Sequence, residues 1–193
     1  CGDIAYESKK EIKKIHTLKT IVSTFEALSD DFSLILNEMV EDFDRNNLII
    51  SEIEKLKNRN ILVLSERIEH LNILYHILDA KKIKSTLIHG GLKSKMKKEF
   101  LKEANSSSII LSTSSFIGEG IDFSHLDAII LTMPVSYWGR IVQYLGRIGR
   151  DGQECIAVDF FDENTPMLRS SFQKRQKGYK KMGYISLNEK GLF

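Results

Sequence analysis

The sequence is poor in the features that mark secreted and membrane proteins. It contains two cysteines, Cys1 and Cys155, in 193 residues, and two thiols alone cannot complete a metal site. Cys155 opens an apolar run and is expected to be buried in the core. No apolar run is long enough to cross a bilayer, and the first residues lack the pattern of a signal peptide. We therefore expect a cytoplasmic protein in a reducing compartment, with no membrane partner.

Motifs that hold nucleotide phosphates are also missing. The chain has no Gly-x-x-x-x-Gly-Lys-Ser/Thr phosphate loop, and the glycines at positions 90 and 91 do not begin one. It has no Asp-Glu-x-His or Asp-Glu-Ala-Asp sequence that would hold magnesium. Gly118-Glu119-Gly120 is not a dinucleotide fingerprint, because the third glycine and the following helix are absent. A complete site for nucleotide hydrolysis is therefore not encoded here.

Composition and charge indicate an ordinary globular domain. Hydrophobic residues make up 42% and charged residues 28% of the chain, and 193 residues can bury a sizeable core. The formal net charge is only +2, so the overall charge does not require a nucleic-acid partner. Lysines cluster at residues 9–14, 81–84, 93–102 and 174–181, and a single cluster of this kind is usually a solvated helix face.

From residue 61 onward, short apolar runs alternate with segments of helical periodicity. Strands are predicted over residues 61–64, 85–88, 109–111, 128–131 and 155–161, and helices over residues 67–82 and 93–104. This alternation predicts an α/β fold, a parallel β-sheet with helices on both faces. Ligands of such sheets bind at the carboxyl ends of the strands, so the loops that follow the strands should carry the function.

Two motifs follow one another between residues 108 and 150. STSSFIGEGID, which begins at Ser112, resembles motif V of the superfamily 2 helicases. QYLGRIGR, from Gln143 to Arg150, resembles motif VI, whose pattern is Gln/His-x-x-Gly-Arg-x-x-Arg. The motifs occur in the family's order and at about its spacing, and they are most similar to DEAD/DEAH-like bacterial helicases of the restriction-enzyme type. The resemblance is good over residues 48–162.

The resemblance implies a RecA-like domain, the second of the two motor domains in an ATP-dependent nucleic-acid helicase or translocase. ATP with Mg²⁺ would bind between this domain and a first RecA-like domain of the same chain, which would supply the metal ligands. We therefore interpret these residues as a fragment that is inactive alone. The expected partner is nucleic acid, with DNA favoured over RNA.

Arg147 and Arg150 are the candidate catalytic residues. Their guanidinium groups can form paired hydrogen bonds with phosphate oxygens, and the glycines at 146 and 149 allow close approach of the backbone. By resemblance, Arg147 contacts the γ-phosphate, and Arg150 is the arginine finger that stabilises charge in the transition state. An isolated Arg-x-x-Arg would instead be interpreted as a surface ion-pair cluster.

Other residues of the two motifs are candidate nucleotide contacts. By resemblance, Gly120 and Asp122 approach the nucleotide, with Asp122 near the ribose, and Gln143 links the nucleotide to the nucleic acid. The simpler interpretations remain open: Gly120 and Asp122 can form an ordinary turn, and Gln143 can be an exposed helix residue.

Polar residues that follow three predicted strands are candidate nucleic-acid contacts. Hydroxyls, backbone N–H groups and an arginine at one edge of the sheet can hold a nucleic-acid backbone without reading its sequence. For His89, a structural role in a turn is favoured over a catalytic one. The candidates are Ser65, Arg67, His89, Gly90, Ser112 and Thr113.

Flanking segments complete the predicted organisation. Residues 1–30 resemble the connector between the two motor domains, with short strands possible at 4–6 and 18–25. Asp31 is expected to open a helix, Asp44 to cap the next one, and Pro166 to lie in the first turn of another. This divides the chain into a connector at 1–30, a RecA-like domain at 31–163 with its core at 61–162, and a helical extension at 164–193.

Two alternatives of other classes remain at this point. One is a degenerate motor half that binds nucleic acid or protein and hydrolyses nothing. The other is a separate Rossmann-like nucleotide-binding enzyme, against which the missing phosphate loop argues. A phosphate-loop lysine upstream of this segment would favour the motor over the binding module.

Overall fold

The computed structural model describes residues 15–90, 103–104, 106–116, 125–135, 145, 148 and 154–187. Within these ranges the chain forms seven strands and four helices. In chain order they are β1 (Ile15–Ser23), α1 (Phe32–Glu41), α2 (Phe43–Lys55), β2 (Ile61–Ser65), α3 (Ile68–Ala80), β3 (Thr86–Ile88), β4 (Ile109–Thr113), β5 (Ala128–Leu131), β6 (Glu154–Asp162), α4 (Pro166–Lys181) and β7 (Ile185–Ser186).

All seven strands join one parallel sheet in the order β3-β4-β2-β5-β6-β1-β7. The central strands β2, β4 and β5 are buried along their whole length, which explains why they appear in the sequence as continuous apolar runs. The predicted parallel α/β architecture is confirmed, and the five predicted strands agree with the observed ones to within two residues. The predicted helix at 93–104 lies outside the described residues except at 103–104.

Side chains of the sheet alternate between two core layers, as the pleat of a strand requires. On β2, Ile61 and Val63 pack against α2 and α3, whereas Leu62 and Leu64 belong to the layer that contains Tyr179 of α4. Helices therefore cover both faces of the sheet, as predicted. Helix α1 lies over a third cluster, which includes Met133 after β5 and Leu168 at the start of α4.

Aspartates cap the two N-terminal helices. The Asp31 carboxylate accepts hydrogen bonds from the backbone N–H groups of Ser33 and Leu34, at 2.9 and 3.0 Å. The prediction that Asp44 caps α2 was wrong, because the cap is Asp42, which accepts from Arg45 N at 2.6 Å. Asp44 lies in the first turn instead, where its negative charge interacts favourably with the positive end of the helix dipole.

The first described segment is part of the sheet. Strand β1 pairs with β6 over nine residues and with the short strand β7 on its other side. The connector role of residues 1–30 stays a prediction, since residues 1–14 lie outside the described ranges, but 15–23 form an internal strand. Pro166 begins α4 as predicted. No helix of the described ranges is long and apolar enough to cross a membrane.

Helix α4 is held against the sheet by a buried ion pair. The Arg175 guanidinium donates from Nε and Nη2 to the two carboxylate oxygens of Asp159 on β6, at 2.8 and 3.0 Å. The Tyr179 hydroxyl donates to the same carboxylate at 3.2 Å. Burial alone would lower the pKa of the Arg175 guanidinium, but the Asp159 carboxylate holds that pKa above its usual value. The predicted extension at 164–193 is therefore packed on the core up to the end of α4.

Candidate functional site

The carboxyl ends of β3, β4 and β2 lie side by side and form one edge of the sheet. In the strand register Ile88 lies beside Ser112, and Ser65 lies beside Thr113. His89 and Gly90 follow β3 directly. We call this edge the carboxyl rim and define it as residues 65–67, 89–90 and 112–115. The carboxyl rim contains all six residues that the sequence predicts as nucleic-acid contacts.

Exposure separates these six residues into two groups. The side chains of Ser65, Ser112 and Thr113 are buried, with relative exposures of 2%, 0% and 6%. The Ser112 hydroxyl donates to the backbone carbonyl of Thr113 at 3.3 Å. In contrast, Arg67 and His89 are half-buried and Gly90 is exposed. The residues of the second group can therefore contact a ligand. The buried hydroxyls of the first group can only stabilise the conformation of the rim.

Arg67 is the cation of the carboxyl rim. It is the N-cap residue of α3 and therefore lies at the N-terminal end of this helix, where the helix dipole favours bound anions. Its Nη2 donates a long hydrogen bond of 3.4 Å to Ser33 Oγ. Its Nε finds no hydrogen-bond partner within the described part of the chain. That Nε atom is itself buried, so any contact of this half-buried side chain with an anionic ligand must come from its Nη donors.

The loops after β2 and β4 are tied together by a contact that the sequence did not predict. Ser114 Oγ donates to the Glu66 carboxylate at 2.5 Å, between residues 48 positions apart in the sequence. Because Glu66 precedes Arg67 directly, this bond also restrains the position of the rim cation. The only sequence signal was the polar character of both loops.

A buried polar cluster lies beneath the carboxyl rim. His70 on α3 is fully buried and contacts Ser65 at the end of β2, Asn46 on α2 and Thr132 after β5. Burial, and to a smaller extent the charge of Arg45, lowers the pKa of His70 to about 3, so the ring is neutral at pH 7. Sequence analysis missed this residue, although it lies four positions before Leu74 on the buried stripe of α3.

Arg45 and Asp162 join this cluster to the end of β6. Arg45 Nε and Nη2 donate to the two Asp162 carboxylate oxygens at 2.9 and 3.2 Å, and Nη1 donates to the carbonyl of Thr132 at 2.6 Å. Both charged side chains are almost fully buried. Helix α2 is therefore fastened to the carboxyl ends of β5 and β6, beside the rim.

The neutral state of His70 makes stability depend on pH. Its folded pKa lies below the unfolded value of about 6.5, so the unfolded chain binds more protons as the pH falls between these values. The stabilisation is complete above about pH 6.5 and is lost toward lower pH, by about 2 kcal/mol between about pH 7 and pH 5. Urea denaturation at both pH values should show this loss in the wild-type chain and not in His70→Asn.

His76 offers the control, because it lies exposed on the same helix. The variant His76→Asn should retain the wild-type difference between the two pH values. An equal difference in wild type and His70→Asn would show that His70 does not titrate in this way.

The residues nominated as nucleotide contacts, Gly120, Asp122, Gln143, Arg147 and Arg150, lie outside the described residues. Two of their neighbours are described: Leu145 and Ile148 are both buried in the core layer that contains Tyr179. Among the described residues no group of three His, Cys, Asp or Glu side chains could hold a metal ion. The assignments of these five residues to the nucleotide remain predictions from the sequence motifs.

Comparison with known proteins places the rim and both motif-like segments in one known domain. Residues 44–152, more than half of the chain, match a family model described as "Helicase conserved C-terminal domain". The fold agrees, since the structure of S. cerevisiae Dbp5 bound to RNA and ADP BeF3 superimposes with a TM-score of 0.65 and 14% sequence identity. That match covers 93% of this chain and 43% of the Dbp5 chain. The RecA-like fold predicted by the resemblance is confirmed.

Two viral helicases are similar to this chain in sequence. Over 180 residues the chain is 28% identical to "Putative helicase 161L" of Invertebrate iridescent virus 6, a match that covers 83% of this chain and 38% of the relative. Over 175 residues it is 29% identical to "Putative ATP-dependent RNA helicase QP509L" of African swine fever virus, a match that covers 77% of this chain and 33% of the relative. The chain thus spans about a third of the length of these curated relatives.

Proposed function

Because this chain belongs to the family of helicase conserved C-terminal domains, we propose that it is the second motor domain of an ATP-dependent nucleic-acid helicase or translocase. The observation that carries the proposal is the family match over residues 44–152, which includes both motif-like segments. The carboxyl rim supports it, because an arginine, a histidine and an exposed glycine lie there together.

The proposed ATP chemistry is shared between two domains. A first RecA-like domain of the longer protein holds ATP and the Mg²⁺ ligands, in keeping with the missing phosphate loop of this chain. Closure of the cleft brings Arg147 onto the γ-phosphate and Arg150 onto the charge that develops in the transition state. Gly120 and Asp122 approach the nucleotide, and Gln143 connects it with the nucleic acid. Hydrolysis then reopens the cleft.

The proposed track is a single nucleic-acid strand held by its backbone at the carboxyl rim. Arg67 supplies the positive charge. Of the other rim residues, Gly90 and Ser115 are exposed, and His89 and Glu66 are half-buried. The expectation that DNA is favoured over RNA has no support, because QP509L is named as an RNA helicase and the Dbp5 structure contains RNA. We therefore extend the proposal to both nucleic acids, since backbone contacts alone do not distinguish base sequence.

Removing the Arg67 side chain tests this interface. Arg67→Ala should weaken the binding of fluorescein-labelled oligo(U) and oligo(dT) to this chain about tenfold, the equivalent of about 1.4 kcal/mol. The slope of log affinity against log salt should become shallower by about 0.7 for each phosphate group that the variant fails to neutralise. Fluorescence anisotropy across a series of salt concentrations measures both quantities.

Arg59→Ala is the matched control, because it removes the same charge from the opposite edge of the sheet. Arg59 lies before β2 and pairs with Glu154 at 2.7 Å. This variant should bind nearly as wild type does. Equal losses in Arg59→Ala and Arg67→Ala would mean that binding follows overall charge and that the carboxyl rim is not the interface.

The alternative function is a module that binds nucleic acid or protein without hydrolysis. Both functions use the same carboxyl rim, so strand binding alone does not separate them. ATP turnover in a longer protein that includes a first motor domain does separate them, and only the motor loses that turnover when Arg150 is replaced.

A further inference from the structure

A chain of hydrogen bonds runs from α2 through His70 to the backbone of Arg67. Its first member is Asn46, whose Nδ2 donates to the carbonyl of Val40 at 2.9 Å. This bond fixes the direction of the amide, so Asn46 Oδ1 is the atom that lies 2.8 Å from His70 Nε2. Since Oδ1 can only accept, the hydrogen between these two atoms must belong to His70 Nε2.

The protonation of Nε2 determines what the other ring nitrogen can do. A neutral imidazole carries one hydrogen, so His70 Nδ1 must accept. Two hydroxyls approach it, Ser65 Oγ at 3.1 Å and Thr132 Oγ1 at 3.4 Å. The Thr132 hydroxyl hydrogen is directed to the carbonyl of Leu64 at 2.7 Å. Ser65 therefore donates to His70 Nδ1.

Once its hydrogen is directed to the histidine, the Ser65 oxygen presents a lone pair to the rim. The backbone N–H of Arg67 donates to this oxygen at 3.2 Å. Arg67 has an extended backbone, with φ −122° and ψ 127°, and its own side chain does not cap α3. The Ser65 hydroxyl thus holds the residue that begins α3, and the histidine determines which way that hydroxyl points.

We propose that His70 is a positioning residue that orients the Ser65 hydroxyl and thereby holds Arg67 where its guanidinium can meet a nucleic-acid backbone. The inference rests on the proposed function, since it assumes that Arg67 contacts the strand. Three residues form the relay, Asn46, His70 and Ser65. Asn46 determines which nitrogen of His70 carries the hydrogen, His70 determines the direction of the Ser65 hydroxyl, and Ser65 holds the backbone of Arg67.

The chemistry of the cluster favours this role over simple packing. An apolar side chain would fill the position of His70 without the cost of burying polar groups, which must all be paired to be tolerated. Here each hydrogen bond of the relay has its donor and its acceptor, and the relay joins the carbonyl of Val40 to the backbone N–H of Arg67, the residue that carries the rim cation.

Two substitutions of His70 break the two hydrogen bonds of its ring one at a time. The Asn side chain places an amide oxygen near the position of Nδ1, so His70→Asn keeps the acceptor for Ser65 and loses the donor to Asn46. The Gln side chain places an amide nitrogen near the position of Nε2, so His70→Gln keeps the donor to Asn46 and loses the acceptor for Ser65. Each variant breaks one bond of the relay, and the two should be of similar stability by urea denaturation.

Binding of labelled oligo(U), with its salt dependence, distinguishes the two variants. His70→Gln should lose up to the tenfold affinity expected of Arg67→Ala, with a similarly shallower salt slope, whereas His70→Asn should stay within about twofold of wild type. Ser65→Ala should show the same loss of affinity as His70→Gln, and it replaces that variant in the test if His70→Gln does not fold. In the folded wild-type chain, nitrogen NMR of labelled histidine should show the hydrogen on Nε2 of His70.

The outcomes separate failure of the inference from failure of the proposed function. Weak binding by Arg67→Ala together with wild-type binding by His70→Gln and Ser65→Ala would overturn the positioning role alone. A hydrogen on Nδ1 of His70 would also overturn it. Wild-type binding by Arg67→Ala would remove the rim interface itself, and the role of His70 with it.

Discussion

Replacing Arg150 by alanine is expected to lower ATP turnover on the order of a thousand-fold in a protein that joins this chain to a first motor domain. An arginine finger acts on charge that develops in the transition state, so its loss should appear in kcat, with ATP affinity nearly unchanged. Arg150→Lys should rescue poorly, because an ammonium group lacks the planar fork of a guanidinium. Steady-state phosphate release in the presence of nucleic acid measures the turnover.

Arg147→Ala is the informative companion, because a contact with the ground-state γ-phosphate should affect both ATP binding and turnover. If the two arginines were only a surface ion-pair cluster, each variant would lose stability and its remaining activity would follow the folded fraction. Melting temperature and turnover should therefore be measured on the same samples. A stable Arg150→Ala protein with wild-type turnover would rule out the assignment of Arg150 as the arginine finger.

The second large effect is expected in the folding of this chain itself. Arg175→Ala should lower the free energy of unfolding by about 3–5 kcal/mol, because it leaves the Asp159 carboxylate, only 1% exposed, without its cation. The free energy of unfolding of a typical domain is about 5–15 kcal/mol, so this variant would lose much of its stability. Urea denaturation at neutral pH measures the change.

A variant in which the whole cluster is apolar tests the cause. Changing Arg175 to Met, Asp159 to Leu and Tyr179 to Phe together should recover most of the loss, since well-packed apolar residues often replace a buried ion pair without cost. Arg169→Ala is the control on the same helix: its exposed guanidinium donates to the carbonyl of Glu163 and its loss should change stability by about 0.5 kcal/mol. A loss below about 1 kcal/mol in Arg175→Ala would show that Asp159 does not depend on this arginine.

Strand β1 shows why the pairing of some strands escaped sequence analysis. The central strands are buried on both faces, so their apolar runs were visible from local sequence alone. In β1 the apolar Leu18 lies within an otherwise polar run over residues 16–20. The partner strand β6 lies far along the chain: Thr17 contacts Glu154, 137 positions away. No local pattern indicates a pairing of that kind, so the sequence predicts only a short strand at 18–25 within a connector.

The sequence by itself determined the class of the fold, the family to which the domain belongs and the edge of the sheet where its polar loops gather. These properties depend on local periodicity and on motifs that are contiguous in the chain. Only the tertiary structure decided that Ser65 is buried while Arg67 remains accessible, and that His70 lies between Asn46 and Ser65. The physical reason is that exposure and hydrogen-bond direction depend on neighbours that only the order of strands and helices brings together.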